Sequence, residues 1–169
     1  LEVFSDSDAK YFGYFLNGKR VYLGNYIINS SIYSYTYKGE INGLFAEGFG
    51  IPENKKNMTY YEGYWKNSKK EGYGIEIYKD NSVYQGCFHN GKKHGIGYYD
   101  WKDNSTYLGE WIDNKLEGYG IYNFKDGSVY KGMWNNNRME GLGEFTYPGV
   151  KSYIGFFKQD KRSGFGILI

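Results

Sequence analysis

YLGEWIDNKLEGYG, residues 107–120, is written five times in this chain with little but its polar letters changed. The other copies are YEGYWKNSKKEGYG at 61–74, YQGCFHNGKKHGIG at 84–97, YKGMWNNNRMEGLG at 130–143 and YIGFFKQDKRSGFG at 153–166, so the period is 23 residues. A fixed short period marks one supersecondary unit copied along an array, each copy burying its face against its neighbours.

With the leading tyrosine as position 0, each unit has Gly at 2, Trp or Phe at 4, and Gly-x-Gly at 11 and 13. The defining residues are Tyr61, Gly63, Trp65, Gly72 and Gly74; Tyr84, Gly86, Phe88, Gly95 and Gly97; and Tyr107, Gly109, Trp111, Gly118 and Gly120. The last two sets are Tyr130, Gly132, Trp134, Gly141 and Gly143, then Tyr153, Gly155, Phe157, Gly164 and Gly166. Upstream, residues 37–50 keep the glycines but carry Ile41 in the ring slot, and residues 11–24 have Tyr22 where the first paired glycine belongs. The chain therefore divides into an N-terminal lead with a degenerate first repeat (1–36) and repeats at 37–60, 61–83, 84–106, 107–129, 130–152 and 153–169. The wider spacing of the early glycines, 26 residues from Gly13 to Gly39 and 24 from Gly39 to Gly63, predicts inserted loops near 27–34 and 52–58.

Alternation of large residues at period 2, with abundant aromatic and β-branched types, favours strands, and two glycines per unit disfavour helix. The six polar residues between the strand patterns, such as 66–71, read as a hairpin loop, with Asn114 at a tip where alanine should be nearly silent. Asp, Asn, Gly and Ser at 80–82, 103–105 and 126–128 read as the turn to the next unit. Pairing position 4 with 11 sets 2 against 13 and 0 against 15, so Tyr107 meets Tyr122 and Gly109 meets Gly120. The opposite face then carries the position-12 row Phe49, Tyr73, Ile96, Tyr119, Leu142 and Phe165, and a second ring row lies at Tyr78, Trp101, Phe124 and Tyr147.

The unit resembles the MORN (membrane occupation and recognition nexus) repeat over nearly the whole chain. The resemblance implies an all-β, elongated, single-layer twisted array of about seven consecutive antiparallel hairpins. It also implies use as a scaffold, in membrane association or self-association, or as the regulatory region of a larger enzyme such as a lipid kinase or methyltransferase.

Composition agrees with a thin, ring-stacked sheet. Twenty-one Tyr, 11 Phe and 4 Trp supply much of the apolar content. A formal charge of +2 with no long basic run gives no reason to expect nucleic acid. The lone Cys87 excludes an intramolecular disulfide framework and suits a reducing compartment. No signal peptide or membrane-length apolar run is present, so a cytoplasmic, cytoskeleton- or membrane-associated protein is expected. The chain reads as a segment of something longer. Its abundant Asn, Lys, Tyr and Ile, beside the two alanines Ala9 and Ala46, suit an AT-rich genome such as a protist's.

No catalytic residue, metal site, cofactor or small-molecule substrate is expected. Cys87, His89 and His94 share one repeat, but a structural or catalytic zinc site needs three or four ligands. The Gly-x-Gly pairs lack the strand-to-helix context of a phosphate loop. Glu71, Glu117 and Glu140 share position 10 and read as a solvated edge.

Two surfaces invite partners. Lys69, Lys92, Lys115, Arg138 and Lys161 at position 8, with Lys70, Lys93 and Arg162 at position 9, form a periodic basic row on one loop edge, suited to anionic phospholipid or an acidic protein. The interleaved acids favour a plain solvated edge. The last repeat presents Phe156, Phe157, Phe165, Ile167, Leu168 and Ile169, a candidate homodimer interface, whereas residues 5–8 form a polar acidic lead. The sequence reading is a non-catalytic protein-interaction scaffold that self-associates through its C-terminal repeat and organises a cytoskeletal or membrane-proximal assembly. A phosphoinositide-binding module is the alternative.

Overall fold

The structure is a computed structural model that describes residues 2–6, 9–16, 19–29, 34–42, 45–52, 59–149 and 151–169, with side chains from Tyr37 onward. Among these residues there are fifteen strands and no helix. They are β1 (Glu2–Asp6), β2 (Ala9–Leu16), β3 (Lys19–Asn29), β4 (Ser34–Asn42), β5 (Phe45–Pro52), β6 (Tyr60–Lys66), β7 (Lys69–Ile77) and β8 (Val83–His89). Then follow β9 (Lys92–Asp100), β10 (Thr106–Ile112), β11 (Lys115–Asn123), β12 (Val129–Asn135), β13 (Arg138–Thr146), β14 (Ser152–Lys158) and β15 (Lys161–Leu168). The seven expected hairpins, β2–β3 to β14–β15, are present, with β1 ahead of them.

The chain forms two compact units, one of Leu1–Lys79 with Phe88–Gly91, the other of Asp80–Cys87 with Lys92–Ile169. Within each unit the strands pair antiparallel in sequence order: β1 to β7 in the first, β9 to β15 in the second.

Each described repeat hairpin closes through a two-residue turn, not a six-residue loop. Asp113 and Asn114 both have positive φ (49° and 70°), as do Asn136 and Asn137 (49° and 65°) and Gln159 and Asp160 (50° and 65°). That is the primed turn whose twist suits a two-residue hairpin, so the polar residues after it already belong to the second strand.

The register confirms Tyr107 opposite Tyr122 and Gly109 opposite Gly120, but a bulge after Gly109 sets Trp111 against Leu116 instead of Gly118. Trp111 does face a position-11 glycine, Gly95 of the preceding repeat, as Trp134 faces Gly118 and Phe157 faces Gly141. The two glycines of each pair have different causes. Gly118 has φ +58°, the left-handed conformation that the bulge needs. At position 13 the obstacle is a ring: a β-carbon on Gly143 would lie 2.5 Å from the Tyr130 ring.

Alternation buries one face of each first strand. In β10, Tyr107, Gly109 and Trp111 are buried while Leu108, Glu110 and Ile112 are exposed. Tyr61, Tyr107 and Tyr130 each make edge contacts with the ring at position 4 of their own repeat and of the next; Tyr107 meets Trp111 at 5.4 Å and Trp134 at 5.6 Å. Each tyrosine hydroxyl donates to the position-3 carbonyl, as Tyr107 does to Glu110 at 3.1 Å. The Trp111 indole N–H donates to the Gly97 carbonyl at 3.1 Å, which ties one repeat to the previous one. Trp111 and Trp134, with Tyr37, Tyr61, Tyr84, Tyr107, Tyr130 and Tyr153, are thereby buried with their polar tips satisfied.

The worn repeats keep this register: Tyr11 faces Tyr26, Gly13 faces Gly24 and Tyr22 faces Ile41. Ile41 is buried beside Tyr37, with Ala46 and Trp65 against them, so a branched aliphatic fills the ring slot. The expected insertion at 27–34 is instead strand at both ends, with Ile27 opposite Thr36 and Asn29 opposite Ser34. Residues 30–33 and 53–58 lie outside the described residues. Ser5 and Asp6 of the acidic lead are in β1, paired with Lys10 and Ala9, and residues 7 and 8 lie outside the described residues.

Candidate functional site

Residues directly opposed across an antiparallel pair share a face. Leu116 therefore lies with Trp111 on the ring face, and Lys115 with Ile112 on the other. This divides the basic row. The five cations at position 8 are exposed on the face opposite the rings, where Lys92 bonds Asp113 at 3.0 Å and Lys115 donates to the Asn136 side-chain oxygen at 2.6 Å. Lys70, Lys93 and Arg162 turn onto the ring face. Lys70 lies over Tyr61 and Phe88, and Lys93 lies 5.2–5.6 Å from the centroids of Tyr84, Tyr99 and Trp111. Arg162 lies 5.4 Å over Tyr153. The attraction of these cations to ring faces fixes them in the fold.

On the ring face of the second unit the rows at positions 15 and 17 interleave. Tyr99, Trp101, Tyr122, Phe124, Phe145 and Tyr147 follow one another at 4.4–5.5 Å, with ring planes 30–43° apart. Beside this ladder runs a groove of about 640 Å³. Trp111, Leu116, Trp134 and Met139 line it, Lys93 and Asp160 also border it, and Asn114 and Asn137 contribute from the turns. In the third repeat, which lies in the first unit, position 15 holds Glu76, a buried carboxylate that ion-pairs with Lys70 and accepts the Tyr78 hydroxyl at 2.6 Å. The sequence reading missed Glu76; its departure from the aromatic pattern at position 15 was the available signal.

Position 10 is not merely a solvated edge. Glu71, Glu117 and Glu140 accept the first backbone N–H of the following repeat's turn, at Asn90, Asn136 and Gln159, over 2.9–3.0 Å. This N–H, with help from His89, holds the Glu71 carboxyl below its ordinary pKa. In the fourth repeat His94 replaces the glutamate and reaches Asp113 at 3.7 Å. His89 bonds Glu71 and Cys87 is half-buried; among the described residues no three His, Cys, Asp or Glu are grouped to hold a metal.

At the other edge the expected self-capping is present. Asp80, Asp103 and Asp126 accept the N–H groups of Ser82, Ser105 and Ser128 at 2.9–3.1 Å; these bonds hold the Asp80 and Asp126 carboxyls below their ordinary pKa, and the Ser105 hydroxyl at 2.6 Å, followed by its N–H, does so for Asp103.

The six candidate interface residues fall into three placements. Phe157 is buried against Tyr130 and Tyr153 in the ring stack, so it presents no free surface. Phe156, Phe165 and Ile167 lie exposed on the opposite face, with Phe165 at 93%. Leu168 faces Tyr153, and both it and Ile169 are exposed.

The tyrosine-glycine-ring units, their register and the turn clamps describe one repeat family. The MORN repeat model matches residues 61–83, 84–106, 107–129, 130–149 and 153–169, and the chain belongs to the MORN repeat family. The MORN repeat is a non-catalytic repeat that serves as an interaction or membrane-binding module. No curated protein sequence matches the chain. Among solved structures it is similar to the TCP domain of SAS-4 (dCPAP) of Drosophila melanogaster, in complex with a proline-rich motif of Ana2 (dSTIL). That likeness has 13% identity and a TM-score of 0.44, over 93% of this chain and 90% of that one.

Proposed function

We propose that the chain is a non-catalytic scaffold that holds a segment of a protein partner along the ring-face groove of its second unit, and that it associates with itself through its last repeat. The groove carries this reading. Its apolar lining is bordered by a cation at Lys93, an anion at Asp160 and amides at Asn114 and Asn137, the mixture of apolar contact and few polar groups that seats a polypeptide. The exposed Phe156, Phe165 and Ile167 support self-association. Such a scaffold serves a cytoplasmic cytoskeletal or membrane-proximal assembly.

Peptides selected against the chain from a display library test the groove. They should lose at least tenfold in affinity for Leu116→Lys or Met139→Lys, and unchanged binding to both variants places recognition elsewhere. The exposed cations at position 8 support a second reading, in which the face opposite the rings meets anionic lipid. Salt-sensitive sedimentation with phosphoinositide vesicles, lost when those five cations become glutamine, would favour it over the scaffold.

A further inference from the structure

In the second unit the face opposite the rings is apolar along its length, not only at the last repeat. Ile96, Leu108, Tyr119, Met133, Leu142 and Phe156 are all large and 43–57% exposed, and Phe165 and Ile167 continue the same surface. Taken with their neighbours they expose on the order of 1,000 Å², above the 300–600 Å² largest patch of an ordinary monomer and comparable to the ~800 Å² that each partner gives to a stable interface.

We infer that this face packs against the same face of a second copy of the chain, so that self-association extends from the last repeat as a sheet-on-sheet contact along the second unit. The inference rests on the self-association in the reading above and widens its contact. Two sheets with apolar inner faces pack about 10 Å apart, and a two-fold contact brings the same patch from both copies.

Charge within the face favours a protein partner over lipid. Glu110 and Glu144 stand within the apolar rows, and Lys131 lies directly opposite Glu144 across β12 and β13. Carboxylates there are costly to immerse in hydrocarbon, whereas a second copy can offer a lysine in return. Both margins carry both signs, Lys92, Lys115, Arg138 and Lys161 with Asp113, Glu117, Glu140 and Asp160 on one and Asp103 and Asp126 with Lys102 and Lys125 on the other, so neither repels a second copy.

The test is solution mass by light scattering over rising concentration, for the full chain and for three exposed-site variants. The full chain should approach twice its 19.7 kDa mass. Tyr119→Lys with Leu142→Lys should be monomeric, with dimer dissociation raised at least 100-fold. Tyr119→Thr with Leu142→Thr, which keeps β-favouring residues, should weaken the dimer in the same direction, and circular dichroism checks that both variants keep the fold. Phe165→Lys with Leu168→Lys provides the end comparison. A dimer that survives both mid-face variants but falls to the end variant overturns the face-to-face contact and leaves self-association through the last repeat standing. A full chain that is monomeric at its highest soluble concentration overturns both, while peptide binding in the groove remains separately testable. A monomer that floats with anionic vesicles, and loses this in the mid-face variants, assigns the face to lipid and also overturns the inference.

Discussion

Asn137 and Leu116, which belong to adjacent repeats, exchange two hydrogen bonds: the Asn137 N–H donates to the Leu116 carbonyl at 3.1 Å, and the Leu116 N–H donates to the Asn137 side-chain oxygen at 2.8 Å. Asn114 makes the same pair with Lys93, and Asp160 with Met139. A turn residue thus completes the edge of the strand before it and supplies the left-handed backbone of its own hairpin. Asn137→Gly should lose only the side-chain bond and cost about 1 kcal/mol, since glycine accepts φ of 65°. Asn137→Ala should cost about 1 kcal/mol more, because its β-carbon is strained there. The same substitution at Asn114 is therefore not silent. Urea unfolding of the three proteins checks the order; equal midpoints would remove the clamp from the account.

The ring stack and the glycine strip make separable demands. Trp111→Ala removes a buried indole that bonds the preceding repeat and should cost about 3 to 5 kcal/mol. Gly143→Ala puts a methyl 2.5 Å from the Tyr130 ring and should cost about 1 to 3 kcal/mol by forcing that ring aside. Gly149→Ala, with open space around it but φ of 91°, should cost about 1 kcal/mol from backbone strain alone. Thermal melts that rank these three differently would refute the assignment of the Tyr130 ring to the space over Gly143.

Alkaline pH should unfold the array through its tyrosines. Burial, followed by the nearby Asp160 and Glu140 carboxylates, pushes Tyr130 up to about 12; burial likewise raises Tyr61 and Tyr107. The folded state therefore keeps protons that an unfolded chain releases near 10, and stability must fall as pH rises. Their contribution is complete below pH 10 and is lost progressively toward pH 12. Urea midpoints measured from pH 8 to 12 should decline above 10, with phenolate absorbance of these tyrosines appearing together with loss of ellipticity. Full ionisation of Tyr61, Tyr107 and Tyr130 in a still-folded chain would contradict this.

The repeat, the strands and the pairing of Tyr107 with Tyr122 and Gly109 with Gly120 were legible because spacing and residue type constrain them directly. The turn was not, because Lys115, Leu116 and Glu117 look like loop in composition and become strand only once Asp113 and Asn114 are known to be left-handed. That choice moves Trp111 from Gly118 to Leu116 and splits the basic row between two faces. The groove was invisible for a related reason: rings at positions 15 and 17 converge only when successive hairpins are laid side by side. Contacts between repeats, such as Glu117 with the Asn136 N–H, leave only a polar residue at a fixed position as their trace.

The divided basic row yields the last prediction. Lys93 holds its charge over three rings, so Lys93→Met should keep much of the stem packing and cost about 0.5 to 2 kcal/mol for the lost attraction, whereas Lys93→Ala should cost more. Lys115→Met, on the exposed opposite face, should cost less than 0.5 kcal/mol. Vesicle binding should divide the other way. Any salt-sensitive attraction to anionic lipid resides in Lys69, Lys92, Lys115, Arg138 and Lys161, at about 1 kcal/mol per charge near the surface. It should survive Lys70→Gln with Lys93→Gln, because those two ammonium groups are engaged by rings and, for Lys70, by Glu76. Sedimentation of both variant sets with the same vesicles decides between the rows. Equal losses from each set would mean that Lys70 and Lys93 leave their rings to meet the lipid, contrary to the packing described.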